Sequence, residues 1–312
     1  MTDVTDASRP SYGLMTPTFF VAGETCDLAR LQEAARCADE YGFDTIWVGD
    51  HLIGRRPNLE AMVTLGVLAG CVQRASIGTN VLQLPLRRAI DVSKSIETLA
   101  YLTRGRLILG IGVGGEWEAE WAAAGVERQT RGRRCDEALE ALNWYRDGQN
   151  RTGRFFASPG VAVQPQGPYK IWVGGRSNAA IERACRHDGY IGTWLSPSRI
   201  QAIRAQVTSI RGNIDNFGFG LQVFVRIDED ESAARREARD AVGEVYGIDP
   251  APLERYLETG TPQNVAAACA ELQSVGIRHL SFFLMGSDWS TQVRRLCTEV
   301  LPLLNSEKDG RS

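Results

Sequence analysis

The fold is decided by Gly42-Phe43-Asp44-Thr45-Ile46-Trp47-Val48-Gly49-Asp50-His51. Within it, Thr45–Val48 is a short β-branched and aromatic run after a glycine, which is typical of a buried strand. Asp50 and His51 follow at the carboxyl end of that strand. In parallel α/β folds, catalytic and binding residues lie at this end of the strands, whereas the residues within the strands pack in the core. The stretch therefore predicts an α/β protein with two proton-transferring side chains at a strand end.

Similar apolar runs alternate with amphipathic helical sequence along the chain. The predicted strands are 12–15, 45–48, 76–82, 107–111, 170–173, 189–193, 218–227 and 279–285. The predicted helices are 27–41, 59–71, 90–102, 131–146, 178–187, 197–211, 232–246, 262–275 and 291–304. Eight strands, each followed by helical sequence, favour a closed (β/α)8 TIM barrel over an open doubly wound sheet, because neither a second domain nor a dinucleotide-type first turn is present.

We expect one domain over residues 1–312, since this length suits a single barrel. The segments 1–10 and 305–312 are polar and are predicted to be flexible tails. Glycine and proline interrupt the alternation at 147–169, after strand four, and this segment is predicted to be an insertion. A small hairpin with arms at 154–157 and 161–163 is expected within it.

Composition excludes several classes of function. The net charge is −3 and the sequence has no dense Lys/Arg cluster, so it does not predict a basic surface that binds nucleic acid. No apolar stretch approaches the length that crosses a bilayer, and the amino terminus lacks a signal-like apolar core, so we expect a cytoplasmic protein with no membrane partner. The seven cysteines and three histidines are scattered without metal-ligand spacing, which predicts reduced packing cysteines and no metal site.

The residues that follow each strand are the candidates for chemistry, because all these loops meet at one mouth of a barrel. His51 is the side chain best suited to take and return a proton near neutral pH. After strand four, Gly112, Gly114 and Gly115 would let backbone approach a flat or phosphorylated ligand, and Glu116 is a candidate carboxylate. A helix-terminal carboxylate without a catalytic role remains an equal interpretation of Glu116.

Two further loops are distinctive. Gly174, Gly175, Arg176 and Ser177 follow strand five and are predicted to bind a phosphate group, although a serine-capped glycine turn is the simpler alternative. Strand three carries the segment Thr79-Asn80-Val81, in which Asn80 is a polar residue in a buried strand. Such an amide is either satisfied in the core or marks a bulge that presents backbone to a ligand.

Several blocks in this order resemble the bacterial luciferase-like (LLM class) superfamily of flavin- and deazaflavin-dependent oxidoreductases. The blocks are 42–52, 78–88, 105–116 with 124–126, 131–137, 170–177 with 188–189, and 260–262. The resemblance implies a TIM barrel, usually dimeric, with the cofactor ring buried in the mouth and its phosphate near the turn at 174–177. It also implies a non-prolyl cis peptide at Asn80-Val81 that supports the ring.

Two chemistries divide that superfamily. One binds coenzyme F420 and moves a hydride between its C5 and a small organic substrate; the other is FMN-dependent monooxygenation, with reduced flavin supplied by a partner reductase. The Asp50-His51 pair resembles the F420 branch. The resemblance therefore implies that His51 transfers the proton, that Asp50 contacts the cofactor or orients the histidine, and that Glu116 is a possible ring-nitrogen proton donor. The loop 52–58 lacks the tryptophan of the sugar-phosphate dehydrogenases, which argues against that substrate.

Trp117, Trp194 and Phe282 are candidates for the apolar wall of the pocket, and each is equally plausible as core. Two other classes stay open as alternatives. A non-catalytic flavin-binding protein would not need the set of Asp50, His51 and Glu116, and a metal-dependent barrel hydrolase would need more clustered ligands. The hypothesis that we carry forward is an F420-dependent oxidoreductase, with an FMN-dependent monooxygenase as the alternative.

Overall fold

The structure is a computed structural model that describes residues 9–20, 23–115 and 117–309, with side chains up to Asn305. Its strands are β1 Ser11–Met15, β2 Thr45–Val48, β3 Ser76–Gln83, β4 Leu107–Gly112, β5 Asn150–Thr152, β6 Ala157–Pro159, β7 Lys170–Gly174, β8 Gly189–Thr193, β9 Gly218–Ile227, β10 Leu257–Gly260 and β11 His279–Leu284. Its α-helices are α1 Leu28–Glu40, α2 Ala61–Cys71, α3 Ala89–Leu102, α4 Glu118–Ala123, α5 Arg131–Asp147, α6 Asn178–Ala184, α7 Pro197–Arg211, α8 Glu231–Tyr246, α9 Pro262–Ser274, α10 Trp289–Arg295 and α11 Leu301–Asp309.

Eight parallel strands close into a barrel in the order β9-β11-β1-β2-β3-β4-β7-β8, and the pairing of β8 with β9 completes the ring. Each of these strands was predicted from the sequence, and the (β/α)8 barrel is confirmed. The helices surround the barrel because the outward faces of the strands are as apolar as the inward faces and require cover. Among the described residues, no helix is both long and apolar enough to cross a membrane.

Three elements differ from the sequence prediction. β10 was not predicted; it pairs with the carboxyl half of the long strand β9, in the register Leu257↔Phe224. The short helix α4 was also missed. The hairpin pairs β5 with β6 instead of the predicted arms, because Oε1 of Glu137 on α5 accepts hydrogen bonds from the backbone of Phe155 and Phe156 and fixes the loop between the arms.

The lower half of the barrel is filled by large side chains, so that the barrel is a packed core below the mouth. Nε1 of Trp47 donates to Nε2 of His279 at 3.0 Å, and Nδ1 of His279 lies 2.8 Å from Oγ of Ser11. Burial lowers the pKa of His279 to about 3, so the ring is neutral. A Cβ at Gly218 would lie 2.2 Å from the indole of Trp172, which explains the glycine there. This layer is structural and forms the floor beneath the mouth.

Strand β3 contains the irregularity that its polar residue suggested. The register with β4 shifts between Thr79 and Leu82, and the Asn80–Val81 peptide is cis, as the resemblance implied. Nδ2 of Asn80 donates to Oγ of Ser281 at 3.2 Å. The amide of Asn80 is therefore satisfied inside the barrel and the strand bulges at the same point, whereas contact of this backbone with a ligand stays a prediction.

Candidate functional site

A cavity opens at the carboxyl ends of the barrel strands. The predicted site residues that line it are His51, Asp50, Asn80, Val81, Gly112, Gly114, Gly174, Gly175, Arg176 and Trp194. These residues come from β2, β3, β4, β7 and β8, so the folded barrel brings together loops that are far apart in sequence. Glu116 lies outside the described residues.

Three predicted contacts do not line the cavity. Oγ1 of Thr79 donates to the carbonyl of Gly110 at 2.8 Å inside the barrel wall. Oγ of Ser177 accepts a hydrogen bond from the backbone of Ala180 and caps α6. Gly115 has a φ of 139°, which favours glycine. These side chains and turns hold the loops in place, and a direct contact between them and a cofactor remains a prediction.

His51 is held by a residue that the sequence did not suggest. Its Nδ1 lies 3.0 Å from Oε2 of Glu120, which is fully buried on α4. Oε1 of Glu120 accepts the backbone N–H groups of Leu52 and Ile53 at 2.6 and 3.2 Å. Burial raises the pKa of Glu120, but His51 and these two donors outweigh it, so that the pKa lies below its ordinary value. An ionised carboxylate at this position favours the tautomer in which Nδ1 carries the proton.

Asp50 is engaged elsewhere. Its carboxylate forms a two-pronged ion pair with Arg87, at 2.8 and 2.7 Å, and accepts the backbone N–H of Gln83 at 2.8 Å. Burial raises the pKa of Asp50, and the charge of Arg87 counteracts it. The direct histidine-orienting contact that was considered for Asp50 is made by Glu120 instead. Asp50 is connected to His51 only by way of Gln83. Nε2 of Gln83 donates to the Asp50 carbonyl at 3.0 Å and lies 3.1 Å from Nδ1 of His51.

One side of the cavity, here called the glycine side, consists of Val81, Gly112, Gly114, Gly174 and Gly175. A Cβ at Gly112 or Gly174 would lie 2.5 or 2.8 Å from a methyl group of Val81, and a Cβ at Gly114 would lie 2.0 Å from Oε1 of Gln83. That oxygen is buried and has no hydrogen-bond partner within the described part of the chain. The glycine side therefore presents bare backbone and an available acceptor, which fits a flat ring with polar edges.

A second part of the lining, here called the aromatic wall, consists of Phe19, Trp194, Tyr246 and Phe283. Trp194 meets Tyr246 edge-on at 4.8 Å between ring centroids, and Phe19 lies 5.8 Å from the His51 ring. The predicted wall residue Phe282 does not contribute, because it packs outside the barrel against Tyr12. Trp117 is also absent from the lining, and the guanidinium of Arg55 covers its ring.

Glu120, Arg87 and Gln83 were missed as members of the site. Gln83 and Arg87 belong to a block that carried the resemblance, but nothing in their spacing indicates an interaction with Asp50 or His51. Glu120 lies on a helix of six residues, which is too short to show helical periodicity. Across residues 9–20, 23–115 and 117–309, no group of three or more His, Cys, Asp or Glu side chains is arranged to hold a metal ion.

Comparisons with known proteins agree with this architecture. Over 318 aligned residues, the chain is 28% identical to an F420-dependent glucose-6-phosphate dehydrogenase from Kineococcus radiotolerans, covering 88% of this chain and 93% of that protein. A solved F420-dependent secondary alcohol dehydrogenase, in complex with an F420–acetone adduct, has a TM-score of 0.81 at 16% identity, covering 95% of this chain and 99% of the other. A long-chain alkane monooxygenase has a TM-score of 0.79 at 14% identity, covering 99% and 92%.

The two solved structures establish the shared fold. The sequence profile that describes the luciferase-like monooxygenases matches residues 11–264, which include every strand from β1 to β10 and the loops around the cavity. The chain therefore belongs to the luciferase-like monooxygenase family.

Proposed function

We propose that this protein is an oxidoreductase that uses coenzyme F420 and transfers a hydride between the deazaflavin C5 and a small organic substrate. The observation that carries the proposal is the His51–Glu120 pair at the cavity, since it holds a histidine in one tautomer beside the glycine side. The F420-dependent relative that aligns along most of the chain supports this cofactor over FMN.

The residues present fit such a cofactor. The glycine side and the cis Asn80–Val81 bulge would hold the flat ring, and Oε1 of Gln83 is a buried acceptor for a ring N–H group. Arg176 is the cation of the lining and lies over the Trp194 ring, where it would meet the phosphate. When bound, the deazaflavin supplies a two-electron hydride acceptor or donor.

The side chains of the protein position the substrate and transfer its proton. Nε2 of His51 accepts the hydroxyl proton when an alcohol is oxidised and returns a proton when a carbonyl group is reduced. Glu120 orients the ring and stabilises its protonated form, because an ionised carboxylate 3.0 Å away favours the imidazolium. The aromatic wall excludes water from the same space. We retain Glu116 as a candidate proton donor to the cofactor ring.

Cofactor titration separates this proposal from the alternative, an FMN-dependent monooxygenase that receives reduced flavin from a reductase. Purified protein is titrated with F420 and with FMN, oxidised and reduced, and binding is followed by fluorescence quenching. We expect binding of F420 that is at least about tenfold tighter than that of FMN, which corresponds to roughly 1.4 kcal/mol. Tighter binding of FMN would reverse the assignment and make a reductase partner necessary.

We further propose that the protein is a cytoplasmic homodimer that pairs through α2. The helix carries no charged residue, and its outward side chain Val63 is 70% exposed. Tyr101 and Leu102 at the end of the neighbouring helix α3 are also exposed. Exposed apolar side chains beside an uncharged helix are costly in water and are typical of a contact between subunits. The seven free cysteines are consistent with a reducing compartment.

A further inference from the structure

The charges around the cavity are distributed unequally between its two sides. Of the charged side chains in the described lining, Asp50 is neutralised by Arg87, and Arg176 lies beside the glycine side. The guanidinium of Arg176 also lies over the Trp194 ring of the aromatic wall, at 5.7 Å from its centroid, and the proposed function assigns this cation to the cofactor phosphate. The other members of the wall, Phe19, Tyr246 and Phe283, carry no charge. With the cofactor bound, a substrate against these three rings would therefore find no available counter-charge among the described lining residues.

The arginines of the loop after His51 do not supply the missing charge. The guanidinium of Arg55 lies over the Trp117 ring at 5.1 Å, and Nη2 of Arg56 forms an ion pair with Glu244 at 3.2 Å. Neither residue lines the cavity. With Arg176 engaged by the cofactor phosphate, a phosphate or carboxylate of the substrate beside Phe19, Tyr246 and Phe283 would lose its hydration without gaining an ion pair, which is strongly unfavourable.

Gln222 is a polar side chain of the lining that the proposed function does not use. Gln222 lies on β9 in phase with Gly220 and Phe224, and the strand alternation directs all three into the barrel. Its side chain lines the cavity and is only 8% exposed. Within the described part of the chain its carboxamide forms no hydrogen bond. A buried amide without a partner is unfavourable, and such a group at a cavity indicates a ligand that completes it.

We infer, on the basis of the proposed function, that the substrate is an uncharged and largely apolar carbonyl or alcohol compound, and that Gln222 binds its oxygen. The aromatic wall would hold the carbon skeleton, and the carboxamide is the group that can recognise a single neutral oxygen as donor or acceptor. This inference separates the chain from its relative named for glucose 6-phosphate, because a phosphorylated sugar would need a cation beyond Arg176, and the described lining residues offer none.

Ligand-observed saturation-transfer NMR on the F420-loaded protein tests the inference. Acetophenone and benzoate have nearly the same size and shape, but only benzoate is charged; glucose 6-phosphate is the third ligand. We expect acetophenone to bind at least about tenfold more tightly than either anion. Equal or tighter binding of benzoate or glucose 6-phosphate, or no binding of acetophenone, would overturn the inference.

The variant Gln222→Leu keeps the volume of the side chain and removes its polar group. We expect the affinity for acetophenone to fall by about tenfold, as the loss of one buried hydrogen bond implies, while the affinity for F420 changes less than about twofold. The exposed Gln201 on α7 provides the matched control Gln201→Leu, which should change neither affinity. Unchanged acetophenone binding in Gln222→Leu contradicts the role of Gln222, whereas a wild-type protein that fails to bind F420 contradicts the proposed function instead.

Discussion

Glu120 and His51 lie 3.0 Å apart, between Oε2 and Nδ1, although 69 residues separate them in the chain. The carboxylate simultaneously accepts the two backbone N–H groups that follow His51. The loop after β2 is therefore attached to α4 through one buried side chain. This arrangement fixes the imidazole before any ligand binds, and preorganisation of this kind lowers the cost of reaching a reactive geometry.

Replacement of His51 tests its role in proton transfer. We expect His51→Ala to bind F420 within about threefold of the wild type and to lose about 10²- to 10⁴-fold in turnover, because a general acid or base contributes about that factor. Fluorescence titration gives the affinity, and the absorbance change of F420 gives the rate. His187, at the opposite end of the barrel before β8, provides the control His187→Ala. Full turnover by His51→Ala would argue against an essential proton transfer by this residue.

Glu120→Gln is expected to reduce kcat/KM by about 10- to 100-fold, since a misplaced catalytic ring costs on that order. The exposed Glu118 on the same helix gives the matched control Glu118→Gln, for which we expect no change. If the two variants behave alike, the orienting role of Glu120 is wrong.

The same carboxylate predicts a pH dependence of stability. Its pKa lies below the ordinary value of 4.5, so its contribution is fully present above that pH and is lost as the pH falls through the lower folded-state pKa. Urea unfolding should show Glu120→Gln less stable than the wild type by about 1 to 3 kcal/mol at pH 7. The difference should narrow below pH 4.5. A difference that does not vary with pH would contradict this assignment.

Arg87→Met should be among the most destabilising single changes at the mouth. It leaves the buried Asp50 carboxylate without its ion-pair partner, and breaking one side of a buried pair costs about 3 to 5 kcal/mol. The adjacent Arg88 is exposed and provides the control Arg88→Met, which we expect to change stability by less than about 0.5 kcal/mol. Chemical denaturation measures both variants. If the free energy of unfolding of Arg87→Met falls by less than about 1 kcal/mol, the ion pair between Arg87 and Asp50 is not desolvated.

Glu258 predicts a pH effect of opposite sign. Burial, together with the nearby charge of Glu271, raises the pKa of Glu258 to about 7. The folded protein therefore holds a proton there that the unfolded chain loses near 4.5, so stability decreases as the pH rises from 4.5 through 7. We expect Glu258→Gln to be more stable than the wild type at pH 8 and nearly equal at pH 4, measured by thermal unfolding. An equal effect at both values would rule out titration of Glu258 as the cause.

The dimer proposal is tested by light scattering coupled to gel filtration. Val63→Glu places a charge on the exposed face of α2, in its first turn, and should shift the protein from dimer to monomer, because an unpaired charge in an apolar interface is costly. Val161 is 69% exposed and lies in the insertion, so Val161→Glu is the control and should remain dimeric. A wild-type protein that is monomeric at micromolar concentration contradicts the proposal directly.

The sequence by itself determined the barrel. Strands such as Thr45–Val48 and Gly218–Ile227 were predicted with the observed bounds, because a buried parallel strand is a short apolar run between helical segments. The glycines at the ends of β4 and β7, and the position of His51 after β2, could be assigned to the mouth for the same reason. Strand ends converge in this fold whatever the side chains around them are.

Only the tertiary structure decided which side chains meet there. All six residues of β11 are buried, so burial of the strand alone could not show that Phe283 lines the cavity while Phe282 packs outside. The contacts of Glu120 with His51 and of Arg87 with Asp50 depend on how separate loops fold over one mouth. The same holds for the carboxamide of Gln222, which has no hydrogen-bond partner among the residues that the structure describes. The hydrophobic periodicity of a sequence indicates whether a residue is buried. The partner of a buried polar group, in contrast, depends on how distant segments pack together in three dimensions.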